Sequence, residues 1–258
     1  MIKLSPAQLP DLLPWFLGGP PGMTALAEHA LAPGAGDWWA DRAVAPRTVV
    51  VACAGHLLLR GDPTALPPLA LAPFAAHHVQ APARFLPLLS SAFDLLVPWE
   101  RMTYVHRVSV PSPRPLHGVT VRRLALGDET ALAALGPESA WIQASWGSPS
   151  GLAASGHGWA AFAKDRVLAV ACTYFRGTTY EDVACVTVPD HRRQRLALAC
   201  VTALCQDIAA RGHTPSWTCS RDNRPSRLAA WTAGFRLEHE HVHYLTGQPA
   251  RHVAGLTV

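Results

Sequence analysis

Val183-Ala184-Cys185-Val186-Thr187-Val188-Pro189-Asp190-His191-Arg192-Arg193-Gln194-Arg195-Leu196-Ala197 decides the reading of this chain. Val183 to Val188 is a short, β-branched apolar run, the pattern of a strand buried on both faces. Pro189-Asp190-His191 turns the chain, and Arg192-Arg193-Gln194-Arg195 leads into Leu196, Cys200, Leu204 and Ile208. Those four residues stand four apart, which places them on one face of a helix. Gly212 after Arg211 is a helix stop, with Pro215 beyond it. The order is strand, basic turn, helix. Unpaired backbone N–H groups and the positive end of the helix dipole meet at that turn, a place suited to phosphate. A solvated turn is the plain alternative.

More of the chain falls into line around it. The segment from Val186 to Ala197 resembles the strand and pyrophosphate loop of the GNAT (GCN5-related N-acetyltransferase) superfamily. That family's loop motif, Gln/Arg-x-x-Gly-x-Gly/Ala, stands here as Arg192-x-x-Arg195-x-Ala197. Pro215 to Ser220, then Asn223-x-x-Ser226-x-Leu228-Ala229 up to Gly234-Phe235, is similar to the family's fifth strand and following helix. The resemblance covers about residues 117 to 246. It implies an α/β protein of the GNAT fold, a mixed, mostly antiparallel sheet flanked by helices.

Composition sets the outer bounds. Of 258 residues 49% are hydrophobic and 16% charged, enough for a substantial core and against disorder. The net charge of +4 is scattered among acids, so no nucleic-acid partner is expected. The cysteines at 53, 172, 185, 200, 205 and 219 contain no Cys-x-x-Cys pair and read as small buried hydrophobes in a reducing compartment. No apolar run reaches membrane-spanning length, and the start of the chain has no charged-then-apolar leader. The expectation is a cytoplasmic protein with no membrane partner.

Pro111-Ser112-Pro113-Arg114-Pro115, with prolines at alternate positions, is the expected linker, dividing the chain into 1–112 and 113–258. In the first part, short helices are expected over Leu9 to Phe16 and Met23 to Leu31, split by Gly18 to Gly22. A hairpin is expected over Thr48 to Arg60 around Ala54-Gly55, then a strand at His77 to Val79. A helix from Pro82 to Leu96 and a strand from Met102 to Val110 complete it. This order echoes the second part, so the chain reads as a tandem with a degenerate GNAT-like first half. Gln80-Ala81-Pro82-Ala83 lacks glycine and a basic cluster, and no phosphate loop is visible there. The first half is expected to cover apolar surface of the other half or of a second subunit, as in a homodimer.

In the second part the resemblance implies a binding domain for acetyl-CoA as cosubstrate, with no metal. By position, the backbone of Cys185, Val186 and Thr187 would hold the pantetheine and thioester. Arg192, Arg193, Gln194, Arg195, Leu196, Ala197 and Leu198 would hold the pyrophosphate, and Asn223 would reach the cofactor or cap its helix. The implied reaction is acetyl transfer to the amine of a small molecule. The alternative is a non-catalytic acyl-CoA-binding or assembly protein of the same fold.

Two departures bear on the chemistry. Arg195 occupies the first loop glycine, and ordinary helical dihedrals would let the loop keep its function. The family's tyrosine acid would fall at Ala230 and its fifth-strand carboxylate base at Thr218. Asp182 falls where many members carry a fourth-strand glutamate, so it is the candidate base, acting through ordered water. His239, His241 and His243 share one strand face, as a base, as zinc ligands or as a surface row. Trp217 and Trp231 are expected in packing.

Overall fold

The computed structural model describes residues 1–250 apart from 17, 18, 23, 32–34 and 115. Gly18, Met23 and Pro115 of the expected breaker, helix and linker therefore lie outside the described residues. The chain divides into two compact units. One is Met1–Arg101 with the C-terminal stretch from Glu240; the other is Met102–His239.

The first unit contains β1 (Ile2–Lys3), α1 (Thr24–His29), β2 (Asp37–Ala40), β3 (Thr48–Cys53), β4 (His56–Gly61), β5 (His78–Gln80), α2 (Leu86–Ala92) and the start of β6 (Leu96–His106). β3 and β4 form the expected hairpin, with Ala54 and Gly55 both at positive φ. β4 and β5 run parallel, His56 opposite His78. Leu57, Leu59, Phe74, Val79, Phe85 and Leu89 build this unit's core. The helix expected over 82–96 is short, because Phe93 turns extended and the chain enters β6 at Leu96.

The second unit contains β7 (Val119–Arg123), α3 (Glu129–Ala133), α4 (Pro149–Ala154), β8 (Gly158–Ala163), β9 (Arg166–Arg176), β10 (Tyr180–Thr187), α5 (Leu196–Ala210), β11 (Thr214–Ser220), α6 (Arg224–Thr232) and the start of β12 (Phe235–Thr246). Its strand order is β6-β11-β10-β9-β8-β7, antiparallel from β10 outward. β10 and β11 are parallel. The predicted face of α5 is the buried one, since Leu196, Cys200, Leu204 and Ile208 are all 2% exposed or less. They pack on Val183, Ala169, Trp217 and Phe235 in one cluster.

The first unit repeats this plan in the order β1-β2-β3-β4-β5-β12, again with one parallel pair. The tandem character is thus visible in topology. The division differs from 112/113, because β6 and β12 each give one half to each unit. Residues 111–114 belong to no helix or strand, in keeping with alternate prolines, and they lie inside the second unit. The counterpart of the α5 region is also elsewhere than 80–83. It is the segment after β4, where prolines at 63, 67, 68 and 73 allow only short 3₁₀ turns.

Candidate functional site

The parallel ladder between β10 and β11 is short. It pairs Tyr180 with Thr214, Glu181 with Pro215 and Asp182 with Ser216, then stops. β10 continues to Thr187 on β9 alone, and β11 continues to Ser220. The two strands fork after Asp182 and Ser216. Residues 184–187 are only partly buried, as expected of a strand that has lost one neighbour.

The fork opens into a cavity of about 700 Å³. Cys185, Thr187 and Trp217 line it from the sheet, Arg193 to Leu198 from the loop, and Val201 from α5. Arg224, Pro225, Leu228, Ala229, Thr232 and Ala233 line it from α6. The first helical N–H of α5 to find an acceptor is that of Ala199, at 3.1 Å from the Arg195 carbonyl. Those of Leu196, Ala197 and Leu198 stand at the helix end beside the cavity.

The loop departs from its sequence expectation in one respect. Arg195 does not take helical dihedrals: its φ is 60°, and that of Arg193 is 64°. Both arginines hold left-handed backbone, Arg195 at the first glycine position of the family motif. An L-residue there costs roughly 1–2 kcal/mol. The glycine-like path of the chain is kept, and two guanidiniums are added beside the cavity.

The other sequence candidates separate. Gln194 lines the cavity, with His191 Nδ1 3.4 Å from its Oε1. Arg192 is tied back by Nε to the Thr187 carbonyl at 3.4 Å and pairs with Glu138 at 3.6 Å, outside the lining. Val186 alternates to the sheet face opposite Cys185. Asn223 caps α6, its Oδ1 accepting from the Ser226 N–H at 3.0 Å; Arg224 beside it lines the cavity. Trp217 is buried and donates from Nε1 to Ser226 Oγ at 3.0 Å, tying β11 to α6. Trp231 is not a packing residue: it is 57% exposed, with Arg236 stacked 3.9 Å above it. Desolvation pushes the Cys185 thiol up to about 12, which disfavours the thiolate form.

Asp182 stands at the apex of the fork, buried, on the face opposite Cys185. Its Oδ1 accepts hydrogen bonds from Ser216 Oγ and Thr218 Oγ1, each at 3.1 Å. Thr218 Oγ1 is also 3.3 Å from Thr103 Oγ1. Thr218, at the family's fifth-strand carboxylate position, is thus joined to the Asp182 carboxylate. Ala230 is fully buried hydrocarbon. The hydroxyls were missed in the sequence; their signal was the alternation of Ser216, Thr218 and Ser220 along one strand face.

Glu181 faces the other way and is structural. Burial pushes its carboxyl up, but hydrogen bonds from Arg211 and Thr173, and from His213, hold it below its ordinary value. His157, stacked on Trp146, is driven to about 4, first by burial and then by Arg211. Among the histidines of β12, His243 is wholly buried and not part of a surface row. No group of three or more His, Cys, Asp or Glu among the described residues could hold a metal ion. No helix among them is long and apolar enough to cross a membrane.

A mostly antiparallel sheet that forks at one parallel pair, above a basic loop and the start of a helix, defines the GNAT fold. The family profile described as GNAT acetyltransferase matches residues 125–244. An uncharacterized N-acetyltransferase from the mutA 5′ region of Streptomyces virginiae is 62% identical over 214 residues, 83% of this chain and 90% of that one. This chain belongs to the GNAT acetyltransferase family.

Solved structures share the fold at low identity. A GCN5-related N-acetyltransferase-like protein of Streptococcus suis gives a TM-score of 0.68 at 17% identity, over 93% of this chain and 98% of that one. A tandem GNAT protein from the clavulanic acid biosynthesis pathway gives 0.59 at 12% identity, over 94% and 96%.

Proposed function

We propose that this acetyltransferase takes its acetyl group from acetyl-CoA and delivers it to the amine of a small molecule, with the cosubstrate held by the second half of the chain. The observation that carries this reading is the division of labour across the fork. The cation-lined cavity opens on the α5 side of the sheet, and the Asp182 hydroxyl network lies on the other. The backbone of Cys185 and Thr187 is free of β11 and suits an extended pantetheine arm. The N–H groups of Leu196, Ala197 and Leu198, with Arg193 and Arg195, suit the diphosphate. The cosubstrate supplies a thioester carbonyl, open to attack by an uncharged amine.

An amine approaching from the Asp182 face reaches that carbonyl through the fork. Before attack its ammonium must lose a proton. Thr218 Oγ1 accepts it while passing its own proton to Asp182 Oδ1, which the 3.1 Å hydrogen bond permits. The amine nitrogen then bonds to the carbonyl carbon and the carbon–sulfur bond breaks. The nitrogen, now bonded to the acyl carbon, gives up its second proton through solvent to the thiolate, and Asp182 later returns its own to solvent. Direct transfer fits the thiol of Cys185, which stays protonated and forms no acyl intermediate. The first half, with only 3₁₀ turns after β4, holds no cofactor in this reading.

The test is release of free thiol from acetyl-CoA in the presence of a panel of small amines. Release that depends on a particular amine supports the enzyme. Saturable CoA binding with no amine-dependent release across the panel supports an acyl-CoA-binding protein instead, a reading favoured by the hydrocarbon at Ala230.

A further inference from the structure

The cavity at the fork is lined by Arg193, Arg195 and Arg224 and by no carboxylate. None of the three forms an ion pair among the described residues. Within the same unit Arg107, Arg122, Arg123, Arg192 and Arg211 pair with acids, while the three cavity arginines converge on one space without an acid. Three uncompensated guanidiniums on one cavity call for an anionic ligand with more than one charged centre.

Their placement sorts the charges. Arg193 and Arg195 belong to the loop before α5, the wall assigned above to the diphosphate. Arg224 stands on the other wall, in the first turn of α6. Its position is fixed by the Asn223 cap and by the bond from Trp217 to Ser226. Coenzyme A carries one further anion besides its diphosphate, the phosphomonoester on the ribose 3′-oxygen. We infer that Arg224 binds this 3′-phosphate and makes the protein selective for coenzyme A over its 3′-dephospho form. A guanidinium suits the task, since its fork of N–H donors meets two phosphate oxygens at once. The inference rests on the acetyl-CoA reading and adds to it the group that tells one nucleotide thiol from another.

Titration calorimetry of the full chain with CoA and with 3′-dephospho-CoA, at one fixed ionic strength, tests it. Wild type is expected to prefer CoA by about tenfold, the size of one partly exposed charged hydrogen bond. Arg224→Gln should weaken CoA by that same factor and leave 3′-dephospho-CoA unchanged, so that the preference disappears. Arg224→Lys, which keeps the charge, should restore part of it. A preference that survives in Arg224→Gln overturns the assignment, as does equal weakening of both ligands. Wild type that binds neither ligand overturns the acetyl-CoA reading itself, and this inference with it.

Discussion

Thr218 Oγ1, two residues past the last rung of the parallel ladder, donates a 3.1 Å hydrogen bond to Asp182 Oδ1. One residue occupies the family's usual base position without a carboxylate, and the other holds the carboxylate one strand away. In the proposed mechanism the bond joins them into a single proton path, with Ser216 and Thr103 hydrogen-bonded at its two ends.

Asp182→Asn keeps both hydroxyl partners and removes only the proton acceptor. It is expected to lower kcat/KM by about 10²-fold, within the usual range for general base catalysis, with CoA affinity near wild type. Residual activity should climb with pH until the free amine predominates. Thr218→Val should lower kcat by about tenfold with the same rising profile. Steady-state kinetics from pH 6 to 9 checks both, and full activity of Asp182→Asn at neutral pH places the base elsewhere.

Arg195→Gly separates the backbone from the side chain. Removal of the left-handed strain gains roughly 1–2 kcal/mol, and the greater unfolded-state freedom of glycine offsets about 0.5–1 kcal/mol of it. The variant is expected to be as stable as wild type or slightly more so. CoA should nonetheless bind several-fold more weakly, because a cation has left the cavity wall. Urea unfolding and calorimetry on the same preparation read the two effects, and unchanged CoA affinity removes Arg195 from the phosphate site.

The buried imidazoles of the first unit tie its stability to pH. His243 is held down to about 2 by burial, then by the nearby His241, Arg101, His56 and His78. His56 is held to about 3, first by burial and then by His78, Arg101 and His77. In the unfolded chain each titrates near 6.5, so below that pH only the unfolded state takes up the proton. Stability is therefore full above about pH 6.5 and falls as the solution is acidified, by about 1.4 kcal/mol per pH unit for each group. His243→Phe should lose its own share of that slope between pH 6.5 and 5. Denaturant melts at several pH values decide, and slopes equal to wild type contradict the expectation.

The sequence made some of this legible and hid the rest for physical reasons. Leu196, Cys200, Leu204 and Ile208 announced α5 because a helix face is written at fixed spacing. The hairpin at Ala54-Gly55 was equally plain, its turn chemistry being local. The fork was not, since it depends on where β11 stops pairing with β10, which no single segment records. Nor was Arg195, whose conformation opposes its own preference. His243 alternates with Glu238, Glu240 and Val242, a pattern that reads as surface until β5 is seen pairing with the strand at Tyr244 and Leu245.

The sharing of β6 and β12 bears on how the protein is made. A ribosome delivers Met1 to Arg101 long before Glu240 to Thr246, yet both stretches belong to the first unit. That unit cannot finish folding until the stretch from Glu240 to Thr246 has emerged. β5 waits with an open edge until the last strand emerges, a hazard for pairing with other chains. The second unit holds all of its parts once His239 is out, because Met102 to His106 has already been synthesised. The order of completion is the reverse of the order of synthesis: the second unit has all of its parts before the first.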